Sequence, residues 1–150
     1  MRFVTWNASH DRYQKGFSNA QKAELIDYLA SRYQVYISSE DESKYKEYAI
    51  PYPLEEIHKL ISKSEFVISE GATMAAEAGV LGIPSIYVNS IRRSYNEDLE
   101  KYGLVFNFQS GKGVLYKIRV LEEIPDIKAD FQIRRQKMLS EKIDATPFLV

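Results

Sequence analysis

Short runs of β-branched and aromatic residues alternate with helix-forming stretches along the whole of this 150-residue chain. Strands separated by helices pair in parallel and need cover on both faces, so the alternation predicts an α/β architecture. The strand-like runs are Phe3-Val4-Thr5-Trp6, Val35-Tyr36-Ile37, the weak Tyr48-Ala49-Ile50, Phe66-Val67-Ile68, Ser85-Ile86-Tyr87-Val88 and Leu104-Val105-Phe106-Asn107-Phe108. Ser18 followed by Gln21 opens the first helix with a capping-box pattern, and apolar spacing carries that helix to near Arg32. Further helices are predicted over residues 54–61, 73–81, 95–102, 113–123 and 129–143, with Gly82, Pro84, Gly103 and Pro125 as stops. Right-handed crossovers then predict a doubly wound, Rossmann-like sheet of six parallel strands in the order 3-2-1-4-5-6. Strands one and four lie side by side in that order. Ligands bind outside their carboxyl ends, which places residues 7–11 opposite residues 69–73.

Composition narrows the function classes. A chain of 17.3 kDa buries roughly 69% of its unfolded surface, enough for one core. Twenty Lys and Arg against 21 Asp and Glu give a net charge of −1, so no bulk positive field exists to hold nucleic acid. The absence of cysteine excludes disulfides, thiolate zinc sites and cysteine nucleophiles, and two histidines exclude a three-histidine metal site. No cofactor or metal is expected. No window is apolar enough to span a bilayer, and residues 1–6 lack signal-peptide character, which makes the cytoplasm the default compartment. No internal repeat, linker or boundary divides residues 1–150, so one domain is expected, either a compact protein or one half of a larger one.

The chemistry concentrates in the segment 69–85. A strand ends there, Gly71 and Ala72 admit a ligand to the backbone, and a helix begins whose free amides and positive dipole end suit an anion. Thr73 adds a hydroxyl. Glu77 is the only charged residue from Gly71 to Val80 and sits one turn beyond Thr73 on the same face. A carboxylate so placed accepts two hydroxyl hydrogen bonds, as from the vicinal diol of a ribose; the opposing reading is an exposed acid on a packed helix. The first loop brings Asn7, Ser9 and His10 to the same edge, either as donors to phosphate or sugar oxygens or as a polar loop with local caps. His10 is the candidate acid or base there. Gly-x-Gly-x-x-Gly and the P-loop pattern are both absent, which disfavours ordinary dinucleotide binding and P-loop chemistry. Ser39 and Glu40 follow strand two, where a base could reach, with a solvated turn as the opposing reading. Arg92-Arg93 follows strand five and suits a diphosphate or a solvated loop equally. His58 reads as a packed or surface histidine, and Asn96, Glu97 and Asp98 as helix caps.

Ile68-Ser69-Glu70-Gly71-Ala72-Thr73-Met74-Ala75-Ala76-Glu77-Ala78, with Leu81-Gly82-Ile83-Pro84-Ser85-Ile86, resembles the nucleotide-sugar segment of GT-B glycosyltransferases and of the related non-hydrolysing UDP-N-acetylglucosamine 2-epimerases. The chain is more similar to an uncharacterised bacterial and archaeal GT-B-like family. That family carries Trp-Asn-Ala-Ser-His-Asp, Ile-Ser-Ser-Glu, Ile-His and Gly-Ala-Thr-Met-x-x-Glu-Ala, present here at 6–11, 37–40, 57–58 and 71–78. The resemblance implies that Gly71, Ala72 and Thr73 lie against a diphosphate and that Glu77 binds ribose. It sets Asn7, Ser9 and His10 by the phosphates or the transferred sugar. The base falls near Ser38, Ser39, Glu40 and the start of the 54–62 helix. Two departures stand out: Glu70-Gly71 replaces a glycine pair, and only the C-terminal of two Rossmann-like domains is matched. The implied function is the UDP-sugar-binding half of a glycosyltransferase, inactive alone. Its partner would be an N-terminal acceptor domain or a second copy, meeting an apolar surface near the last helix. The alternatives are a non-catalytic nucleotide-binding or interaction module and a 2-epimerase-like enzyme.

Overall fold

The structure is a computed structural model that describes residues 1–6 and 12–144. Its strands are β1 (Arg2–Phe3), β2 (Ser38–Ser39), β3 (Val67–Ser69), β4 (Ser85–Val88) and β5 (Val105–Phe108). Its helices are α1 (Asn19–Ala30), α2 (Ile57–Lys63), α3 (Ala72–Val80), α4 (Ser94–Lys101), α5 (Val114–Glu122) and α6 (Ile127–Glu141), with 3₁₀ turns at Glu42–Tyr48 and Leu54–Glu56. The strands form one parallel, Rossmann-like sheet in the order β2-β1-β3-β4-β5. Winding reverses between β1 and β3, where Arg2 pairs with Ser69.

The sheet has five strands among the described residues, and the expected six are not seen. The missing one is the run Tyr48-Ala49-Ile50. Its approach winds into 3₁₀ turns, and among the described residues its one backbone bond to the 35–37 run is from the Ile37 amide to the Tyr48 carbonyl at 2.8 Å. Pro51 and Pro53 follow at once and have no N–H to extend a ladder. Removing that strand from the expected order leaves the observed one, so the pairing of the other five stands.

β1 is shorter than the run 3–6. The Val4 amide donates to Glu70 Oε2 (2.7 Å) and the Thr5 amide to Glu40 Oε2 (3.1 Å), so two carboxylates take the donors a neighbouring strand would have used. Strand two is displaced from 35–37 to 38–39, because the carbonyl of Tyr36 accepts from the Met1 amine and the amide of Ile37 turns to Tyr48.

Val67 and Ile68 point to opposite faces and fall in separate apolar clusters. Ile68 belongs to the cluster that holds Phe3, Leu25, Leu29, Ile86, Ile118 and Phe131, and Val67 to the smaller one with Ile61, Ala78 and Ile83. The small residues of α3 let it lie close to the sheet. A β-carbon on Gly79 would come within 2.6 Å of Val105 Cγ2. The capping box of Ser18 and Gln21 is present at the start of α1. On α6, Ile133 and Leu139 are exposed. Six residues apart, they lie about 120° from each other around the helix and make no single apolar stripe.

Candidate functional site

β3 ends at Ser69, and Gly71 is the N-cap of α3. Ser69 Oγ accepts from the Gly71 amide (3.0 Å) and donates to the Gly71 carbonyl (2.7 Å), which fixes the entry to the helix. No side chain among the described residues caps α3. The amides of Ala72, Thr73 and Met74 have no partner within the helix by its geometry. They border a cleft of about 520 Å³ at the carboxyl edge of the sheet, beside the β1/β3 reversal. Arg2, Trp6, Glu40, Tyr87, Arg93 and Tyr95 line the rest of it, with Gly71, Ala72, Thr73 and Glu77 along the α3 side.

Gly71 carries information about this edge. Its φ is not in the left-handed range, and an added β-carbon would sit 3.5 Å from Ser69 Oγ and 3.7 Å from Arg2 Cγ, ordinary contacts. The fold itself therefore tolerates a side chain there.

Glu77 is not buried. Its side chain is 41% exposed, and its Oε2 lies 3.2 Å from Nε2 of His58 on α2. Glu77 is thus an exposed acid on a packed helix, and it stands on the cleft wall on one face with Thr73. The buried acid is its neighbour Glu70, fully enclosed. Glu70 accepts from the Val4 amide (2.7 Å), the Phe17 amide (2.7 Å) and Lys22 Nζ (3.1 Å). It thereby ties the end of β1 and the residues before α1 to the end of β3. Gly16 lies against it so closely that a β-carbon would sit 2.4 Å from Glu70 Oε1. Asn89, directly after β4, extends the same tie by donating to Gln14 Oε1 (2.9 Å) and the Glu70 carbonyl (3.3 Å).

The other expected site residues divide. Glu40 lines the cleft, where it meets Arg2 Nη2 (3.2 Å) and accepts from the Thr5 hydroxyl. Ser39 turns away: its Oγ accepts from the Asp41 amide (3.2 Å), and it borders two other cavities. One of these, about 610 Å³, runs from Ser38 and Ser39 to Tyr52, Pro53, Leu54 and Ile57. Arg92 is drawn onto α4 by Glu97 (2.7 Å) and Glu100 (3.5 Å) and does not line the cleft. The next residue, Arg93, does. Asn7, Ser9 and His10 lie outside the described residues. Asn96 caps no helix: it is buried within α4 and donates to the Ala72 carbonyl (3.3 Å).

Sequence reasoning named Arg93 together with Arg92 and missed Arg2 and Asn89. Asn89 follows β4 at the predicted edge, so the topology itself held the signal, whereas nothing local marked Arg2. Burial pushes the Tyr87 phenol up, with neighbouring Arg93 partly opposing this. The Tyr87 hydroxyl donates to the Ile91 carbonyl (3.0 Å). Among the described residues no His, Asp and Glu gather into a metal-ligand group. The cleft offers helix amides, the guanidinium groups of Arg2 and Arg93, and two half-exposed carboxylates, Glu40 and Glu77, of which Glu40 is paired with Arg2. No family model, no curated protein and no solved structure matches this chain.

Proposed function

We propose that this chain binds a nucleoside diphosphate sugar, a UDP-sugar first among them, as the donor-binding half of a GT-B-like glycosyltransferase. The observation that carries the reading is the convergence of the Ala72, Thr73 and Met74 amides and the Glu77 carboxylate on one cleft at the reversal of the sheet. The diphosphate lies against the start of α3, where the helix dipole and unpartnered amides favour negative charge. The bare Gly71 lets it approach. Glu77, one turn on, accepts from the ribose hydroxyls. The base extends past Glu40 toward the neighbouring cavity lined by Ser38 and Tyr52, whose ring is half exposed.

Cleavage of the sugar–phosphate C–O bond leaves charge on the departing diphosphate. Fixed amides, with Arg93 beside them, stabilise that charge without reorganising. This is the chemical contribution assigned to the chain, and an acceptor site is assigned to a partner domain or second copy.

Thermal shift and calorimetry with UDP and UDP-N-acetylglucosamine test the reading, because a ligand of the folded state raises its stability by mass action. Both compounds should raise the melting temperature, and Gly71→Ala should weaken both. Absence of heat and of any shift with every nucleoside diphosphate sugar tried would refute it.

A further inference from the structure

We propose that His58 is a positioning residue for Glu77, holding the carboxylate in the orientation that receives a ribose diol. The inference rests on the nucleotide-sugar reading above. His58 and Glu77 come from different helices, α2 and α3, and meet at 3.2 Å between Nε2 and Oε2. The contact is an ion pair when the imidazole is protonated, and it engages Oε2 of Glu77. Oε1 is then left whole for a ligand hydroxyl, and Oε2 keeps further acceptor capacity.

The placement of the two residues separates their tasks. Thr73, Glu77 and Tyr95 line both the cleft and a shallow groove on its outer side, whereas His58 lines only the groove. His58 therefore reaches Glu77 from behind and leaves the cleft open. With side chains 60% and 41% exposed, the pair contributes little to folding. Its effect is to restrict the rotamers of a carboxylate that water would otherwise let turn.

Calorimetry with UDP and 2′-deoxy-UDP on the whole chain reads this directly. The wild type should prefer UDP by about tenfold, the scale of one hydrogen bond to a charged group. Glu77→Ala should abolish the preference, and His58→Ala should reduce it to about threefold. His58→Gln, whose amide can donate to the same oxygen, should restore it. A preference lost in Glu77→Ala but unchanged in His58→Ala overturns the role of His58 alone, as does a loss that His58→Gln does not repair. A wild type that ignores UDP, or binds both nucleotides equally, overturns the underlying reading and takes this role with it.

Discussion

Glu70 and Glu77 stand seven residues apart on one strand–helix segment and live in opposite surroundings. Glu70 is wholly enclosed, with two backbone amides and Lys22 on its carboxylate. Glu77 is 41% exposed and meets the ring of His58. Both border the cleft, but the oxygens of the first are taken up at the junction of β1, β3 and the residues before α1, while the second stands on the cleft wall. A buried carboxylate is tolerable only when its oxygens are filled, and filling them commits the group to holding the chain together. A half-exposed one keeps acceptor capacity for a ligand. The same contrast holds for the two glycines nearby, since Gly16 is pressed against Glu70 whereas Gly71 has ordinary clearance on the protein side.

Replacing Glu70 should have the largest effect. Glu70→Ala leaves Lys22 as a nearly buried cation without its carboxylate and strands the amides of Val4 and Phe17, so denaturant unfolding should show a loss of about 3–5 kcal/mol. Glu77→Ala should change stability by less than about 0.5 kcal/mol. Equal losses in the two variants would erase the contrast.

A second buried ionisable group sharpens it. The Met1 amine donates to the Tyr36 carbonyl, and burial lowers its pKa from 8.0 to about 5. In a chain whose Met1 amine is free, the unfolded state takes up a proton between pH 8 and pH 5 that the folded state does not. Stability should therefore be greatest above pH 8, fall as the pH drops toward 5, and level off below it, by as much as about 4 kcal/mol. Acetylating the amine should flatten that slope.

Gly16→Ala should cost about 1–3 kcal/mol, because its β-carbon enters the space of the Glu70 carboxylate. Gly71→Ala is the matched control at the cleft. Its melting temperature should stay near that of the wild type, while affinity for UDP falls. A Gly71→Ala variant as unstable as Gly16→Ala would mean that the glycine serves the fold rather than the cleft.

Much of the architecture was legible along the chain because its signals are local. Ser18 and Gln21 marked the start of α1, Gly82 the end of α3, and the run Ser85-Ile86-Tyr87-Val88 is β4 residue for residue. The strand at 48–50 was misread because β propensity there is outweighed by two prolines and by the 3₁₀ turns before it. At the cleft, a lone acid among small residues pointed to Glu77, yet composition could not say whether it was enclosed. Glu70, beside the strand, gave no local sign of burial. Arg92 and Arg93 are indistinguishable in sequence, and only the pull of Glu97 and Glu100 turns Arg92 away.

The sequence by itself determined that strands alternate with helices, that the run 73–81 forms a helix, and which end of the sheet carries its glycine-opened start. These follow from periodicity, propensity and caps, which act over a few residues. Tertiary structure alone decided which carboxylate is sealed, which arginine reaches the cleft, and that His58 meets Glu77. Those outcomes depend on pairings between groups distant along the chain, and burial and charge partnership exist only once the strands have found their neighbours.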